Sequence, residues 1–473
     1  MLRLAGCLAL LGAGCWFLAG CAYYQARPLA PAKTAETLMA RSLADDGLHR
    51  FLVENLGREP ERWPPETWDF ETLTWVAFYY QPSLEVARAQ WAVARAAVKS
   101  AGARPNPVLS VVPGYDTSVP SGVSPWFPSV SVDFLIETAR KRTPRIAIEE
   151  FNAEAARLEV LSAAWQVRSE LRSALIAAAA ADRRQVLVQR QVEAQQEQVA
   201  LLDRRLKAGA VSAYEVSVAR VALVKAEVAA ADARRQVPLT RSRVAQALGL
   251  PLSALAEVRF ADLLAGTPAP VVGEELAAAR RQSLQSRADV LAALARYEAS
   301  QSGLQLEVAR QYPDLHLGPG YQYDLGENKW SLGLSLELPI FNRNEGPLAE
   351  AEARRREAAA RFVAVQARVI AEIDGAGAAQ AAAAGQSEHW RRVQTELQKQ
   401  SDLLQARVTA GNADRLELQN AKIELISGEA ALFDAAVAAT EAAGQLEDAL
   451  QVPFHDLSTV ADARPGDLTS RTP

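Results

Sequence analysis

An internal repeat that joins long helices to alternating strands constrains this chain more than any other feature. Arg205-Leu206-Lys207-Ala208-Gly209 recurs 202 residues later as Arg407-Val408-Thr409-Ala410-Gly411. The same offset carries Glu215 onto Glu417, Ala219 onto Ala421, Leu223 onto Leu425, Glu227 onto Glu429, Leu248 onto Leu450 and Pro251 onto Pro453, without a gap. An earlier stretch repeats at an offset of 206: Ala87 falls on Ala293, Trp91 on Tyr297, and Pro113-Gly114-Tyr115 on Pro319-Gly320-Tyr321. Two copies of one unit, each with helices too long for a globular core, predict a tube or a spanning device rather than an enzyme.

Each copy holds a helical hairpin. Arg145 to Ala208 contains neither Gly nor Pro, which predicts a helix of roughly 95 Å at 1.5 Å per residue. Gly209 stops it, and a second helix returns from about Ala213 to Leu248. Gly249-Leu250-Pro251 ends that one, because proline cannot continue a helix. The second copy goes out from Leu348 to Ala410, turns at Gly411-Asn412, and returns from Ala413 to Leu450. Gly375, Gly377 and Gly385 make its outward helix easier to bend. Leu158, Leu161, Trp165 and Val167 mark part of a narrow apolar seam, so these helices must pack side by side with neighbours. A further helical pattern runs from near Trp68 to about Gly102, with a break at Pro82.

Strands with period two precede each hairpin. Leu109, Val111, Pro113 and Tyr115 alternate with Ser110, Val112, Gly114 and Asp116; Val130, Val132, Phe134 and Ile136 alternate with Ser129, Ser131, Asp133 and Leu135. In the second copy Leu315, Leu317, Tyr321 and Tyr323 alternate with His316, Gly318, Gly320 and Gln322. After a turn at Asp324 to Asn328, Trp330, Leu332, Leu334, Leu336 and Leu338 alternate with Ser331, Gly333, Ser335 and Glu337. One face of each strand is therefore apolar. The runs approach the roughly 9–11 residues that cross a bilayer as a tilted strand. Tyr321, Tyr323 and Trp330 sit near strand ends, as interfacial aromatics do. Four strands cannot close a barrel, so in lipid their edges must be completed by other subunits.

The N-terminus reads as a targeting segment. Arg3 supplies the positive region, Leu4 to Leu18 is apolar, and Leu18-Ala19-Gly20-Cys21 resembles a bacterial lipobox, with cleavage before a lipidated Cys21. Ala22, in place of an acidic residue, favours the outer membrane by the pattern of such lipoproteins. All three cysteines lie at or before Cys21, so the mature chain has no disulfide and no thiolate metal site. Beyond this segment no window offers 18 consecutive apolar residues, which excludes a transmembrane helix by sequence. The net charge of −5 and the lack of a basic stripe argue against a nucleic-acid partner.

These residues together resemble the TolC-like outer-membrane factor family over about 75 to 455. The most specific stretch is Trp330-Ser331-Leu332-Gly333-Leu334-Ser335-Leu336-Glu337-Leu338-Pro339-Ile340-Phe341-Asn342-Arg343-Asn344, similar to the family's last strand running into its long helix. Ile136-Glu137-Thr138-Ala139-Arg140-Lys141-Arg142 is its first-copy counterpart, and Ser286-Arg287-Ala288-Asp289-Val290 resembles the start of the second repeat. Ile136-Glu137-Thr138 and Phe341-Asn342-Arg343-Asn344 are most similar to the heavy-metal, cobalt-zinc-cadmium branch. The resemblance implies a mainly α fold with a β part: a homotrimer whose four strands per protomer complete a twelve-stranded outer-membrane barrel on a long periplasmic α-barrel. It implies a passive exit duct working with a periplasmic adaptor protein and an inner-membrane pump of the resistance-nodulation-division type. Gly209, Ala210, Val211 and Gly411, Asn412, Ala413 then form periplasmic tips where the adaptor docks. Glu215 and Glu417, six residues after each tip glycine, become pore-mouth acids whose ring favours cations. The chain departs from well-known members where Asn420 replaces a second acid and Val408 and Ala413 replace a locking tyrosine and arginine; Arg415 is a nearby substitute.

No catalytic constellation, cofactor motif or phosphate-binding loop is visible. His49, His316, His389 and His455 are scattered, without metal-ligand spacing. His316, Asp133 and Glu337 read as polar fillers of one strand face. The expected organisation is a signal peptide at 1–20, an N-terminal tether and irregular segment at 21–67, repeats at 68–251 and 276–457 joined by a linker at 252–275, and a disordered tail at 458–473. Two competing readings remain: a multidrug or type I secretion duct, and a lipidated periplasmic adaptor, which should show one helical hairpin rather than two.

Overall fold

The computed structural model describes residues 23–452 apart from 61, 121, 265, 267 and 268. The targeting segment, Cys21 and the C-terminal tail lie outside these residues. The chain divides into two units, residues 1–42 and 43–473. The first contains helix α1 (Pro31–Met39).

The second unit begins with α2 (Asp46–Leu56), β1 (Thr67–Trp68), α3 (Phe70–Tyr80) and α4 (Pro82–Ala101), then strands β2 (Val108–Val112) and β3 (Ser129–Ile136). The first hairpin follows as α5 (Arg142–Lys207) and α6 (Ala213–Leu248). A short strand β4 (Arg259–Phe260) then pairs with β1 in parallel. The second copy comprises α7 (Glu274–Ser286), α8 (Ala288–Ala309), β5 (Leu315–Asp324), β6 (Glu327–Leu336), α9 (Glu345–Thr409) and α10 (Arg415–Leu450). The expected break at Pro82 and both long hairpins are present. At 66 residues, α5 is about 100 Å long. Among the described residues no helix is long and apolar enough to cross a membrane.

Three expectations change. The stretch read as irregular contains two helices; α2 starts on the Asp45 side chain, which accepts from the Leu48 amide, and stops at Gly57 in the left-handed region. Its Leu48 and Leu52 are fully buried. The first-copy strand β2 has only five residues, because an irregular loop that brings Tyr115 against Trp126 in a single bridge interrupts the ladder. The β5–β6 turn is tighter than expected, two residues with both φ positive at Leu325 and Gly326, which suits the twist of a two-residue hairpin.

The repeat is visible in the core. One cluster gathers Val167, Leu171, Val244 and Leu248 with Leu48, Leu73 and Val76. A second gathers Val369, Ile373, Leu446 and Leu450, the residues 202 positions on from the first four. Gly377 also serves this packing: a Cβ there would lie 2.7 Å from the Leu276 side chain of α7.

Candidate functional site: an apolar strand face and paired helix tips

The four strands form one antiparallel sheet in the order β2-β3-β5-β6. Register sorts their side chains. Leu109 and Val111 lie opposite Val132 and Val130. Phe134 and Ile136 lie opposite Leu317 and Leu315, which in turn lie opposite Leu334 and Leu336. Because side chains alternate with period two, these pairs assemble one apolar face across the whole sheet. It is not a core face: Trp330 is 82% exposed, Leu332 71% and Leu334 64%. The opposite face carries Ser129, Ser131 and Asp133 beside Gln322, Gly320 and His316, and the Asp133 carboxylate lies 2.8 Å from His316 Nδ1. Glu337, expected on that face, falls just past the end of β6. Strands β2 and β6 are both open edges. A broad bare apolar face bounded by unpaired edges is unsuited to water but suited to lipid once the edges are paired.

Polar clamps join strands to helices. Asp314 accepts from the Thr138 amide at 2.9 Å and from Lys141 Nζ at 2.7 Å, while Lys141 also donates to the Tyr312 carbonyl. Glu137 pairs with Arg145 at 2.5 Å. The Glu137, Thr138 and Lys141 of the family-like stretch thus position the base of α5. Asp314 and Tyr312 were missed by sequence reasoning, because their partners lie more than 170 positions away.

The two copies hold their returning helices alike. Gln81 donates to the carbonyls of Gln246 and Ala247 at the end of α6, at 3.2 and 3.0 Å. Buried Arg287, its counterpart at the 206 offset, donates to the Ala449 carbonyl at the end of α10 and forks onto Asp289 at 3.0 and 2.8 Å. A cation suits this helix terminus, where carbonyls lack partners. Burial pushes the Asp289 carboxyl up, but Arg287 and Arg368 outweigh it and hold it below the usual range.

At the far ends of the hairpins, Gly209 and Gly411 have φ of +72° and +77°. Each allows the next amide to bond back: Ala210 N to the Arg205 carbonyl at 2.9 Å and Asn412 N to the Arg407 carbonyl at 2.8 Å. Gly209, Ala210, Gly411 and Asn412 are exposed, whereas Val211 and Ala413 are half-buried. Val211 packs with Leu202, Val216 and Leu416. Glu215 does not project freely. Its Oε1 accepts from the Ser212 amide and hydroxyl at 3.2 and 2.8 Å, while Ser212 Oγ accepts from the Glu215 amide, a capping box that starts α6. Glu417 is exposed. The returning helix of the second hairpin starts instead at Asp414, which caps α10 and also pairs with Arg205 of the first hairpin. The Arg205 guanidinium, then the Leu416 amide, hold the Asp414 carboxyl below the usual range. Asn420 accepts from Gln198 at 2.8 Å, a second tie between hairpins. Arg415 is exposed.

The chain matches the sequence profile of the outer membrane efflux protein family over residues 79–250 and 279–451. It is 27% identical over 219 residues to the cobalt-zinc-cadmium resistance protein CzcC of Cupriavidus metallidurans, a match covering 46% of this chain and 51% of that protein. The chain thus spans about half the length of this curated relative. Its fold is similar to the outer membrane protein VceC of Vibrio cholerae, with TM-score 0.66, 21% identity, and coverage of 81% of this chain and 96% of that one. It is also similar to the open state of the MtrE outer membrane channel of Neisseria gonorrhoeae, with TM-score 0.64, 16% identity, and coverage of 81% and 89%.

Proposed function

Since the chain belongs to the outer membrane efflux protein family, we propose that it is the passive exit duct of a tripartite exporter whose cargo is heavy-metal cations. The observation that carries this reading is the bare apolar face of an edge-open four-stranded sheet, built into the same repeat as two helical hairpins. Lipid accounts for the apolar face, and further copies of the chain account for the open edges. In a homotrimer the strands number twelve and close. The hairpins then project into the periplasm, with Cys21 lipidated at the outer membrane.

The tips at Gly209, Ala210 and Val211 and at Gly411, Asn412 and Ala413 receive the periplasmic adaptor. An inner-membrane pump of the resistance-nodulation-division type supplies the energy. Of the two acids placed at the pore mouth, Glu417 presents the freer carboxylate, since Glu215 is engaged by Ser212. A ring of Glu417 side chains favours cations. The metal reading is supported by the relative named for cobalt, zinc and cadmium resistance. The two hairpins set the chain apart from a single-hairpin adaptor.

Deleting the gene and measuring growth across divalent metals, drugs and detergents tests this. Sensitivity to cobalt, zinc or cadmium, restored by the wild-type gene, is the expected result. Sensitivity to drugs or detergents with metals unaffected contradicts the metal cargo and makes it a multidrug duct.

A further inference from the structure

The Asp133–His316 pair stands on the polar face of the sheet, near the end where the strands meet the helices. Register brings it together. Ser131 lies opposite Gly320 and Phe134 opposite Leu317, so Asp133 falls opposite Gly318, which has no side chain. His316, two residues along β5 on the same face, is a diagonal neighbour within reach of Asp133, and its Nδ1 lies 2.8 Å from the carboxylate. On β6, Ser335 lies opposite His316 and Gly333 opposite Gly318. These small neighbours leave the pair open: both side chains are 43% exposed. Among the described residues no lysine or arginine pairs with Asp133.

An exposed pair of this kind adds little to stability. What it offers is ligand chemistry. Two neighbouring ligands of one zinc ion, each about 2.0–2.2 Å from it, lie roughly 3.0–3.4 Å apart. A small rotation of either side chain opens the observed spacing to that distance, and a cation then takes the place of the proton between nitrogen and oxygen. The imidazole nitrogen selects transition-metal cations such as zinc over magnesium, which prefers oxygen ligands. The other described histidines lack such a partner: His49 is stacked on Trp63, and His389 is exposed on α9. No third acid or imidazole joins Asp133 and His316 among the described residues, so water completes the coordination and the affinity is low. Low affinity suits a path rather than a store, since a cation must bind well enough to enter and weakly enough to leave.

We propose that Asp133 and His316 form a weak two-ligand way-station for divalent transition-metal cations on the lumen face of the strands, one in each copy of the chain. The proposal rests on the metal-duct reading above and deepens it, because it places a metal-selective group inside the duct, beyond the carboxylates of its mouth.

The full-length protein, purified in mild detergent, is dialysed to equilibrium against zinc chloride in a large excess of magnesium chloride, which occupies sites made of oxygen alone. The same preparation is tested for conductance in planar bilayers. The expected result is one zinc ion bound per chain. His316→Gln and Asp133→Asn each weaken that binding at least tenfold, and His389→Gln leaves it unchanged. Both site residues are open to solvent, so neither substitution empties a core, and each reads the site independently of the other. Zinc binding that magnesium abolishes, or that either site variant leaves intact, overturns the way-station; conductance in that preparation then leaves the duct reading standing. A preparation that inserts and binds zinc but carries no current overturns the duct, and with it the lumen placement.

Discussion

Arg287 and Gln81 occupy matching places yet solve the same problem with different chemistry. Both cap carbonyls at the end of a returning helix, but Arg287 also satisfies Asp289 and Glu372 from a buried position. Arg287→Ala leaves both acids to Arg368 alone and the Ala449 carbonyl without its donor, and we expect a loss of about 1–3 kcal/mol. Arg287→Gln, which imitates Gln81, should lose less, as denaturant titration will read. Asp414 makes a testable statement about pH. Its folded pKa is depressed by Arg205, so its contribution is present above the unfolded value of about 3.9 and is lost as pH falls through the lower folded value. Asp414→Asn should accordingly speed amide exchange at both tips at neutral pH and leave the helix bases unchanged. The tips also show where sequence reading of single residues fell short. Ser212 and Glu215 stand at capping-box spacing, a signal available in the sequence that the pore-acid expectation for Glu215 leaves unused. The Arg205–Asp414 tie had no such signal, since its residues are 209 positions apart.

Among the elements, β6 offers the clearest contrast between faces. Leu332 and Ser331 are neighbours on opposite sides of one strand. Leu332→Arg should impede outer-membrane insertion, at a cost of up to about 2–4 kcal/mol. Ser331→Arg, on the polar face, should insert normally; the amount of protein in outer-membrane fractions decides between them. The strands and hairpins were legible because period two and glycine-bounded helices are local patterns. The helix α2 was not, because the Pro- and Arg-rich stretch that follows it at 58–65 masks a short capped helix whose Leu48 and Leu52 find a core only in tertiary packing. Strand β2 was overestimated because Pro113 and Gly114 preserve alternation in sequence while leaving the ladder in structure.

Across the whole molecule, the repeat fixes what a single chain lacks. Among the described residues two edge strands and two end helices (α6 and α9) each have a neighbour on one side only, and each resembles an interior element that has neighbours on both. That incompleteness links the fold to a channel more directly than any side chain does. The most direct test is the conductance of the purified, detergent-extracted protein in planar lipid bilayers. A multi-copy exit duct gives discrete conductance steps that favour cations, with the preference reduced by Glu417→Gln. A folded protein that inserts into the bilayer yet passes no ions at any voltage would contradict it.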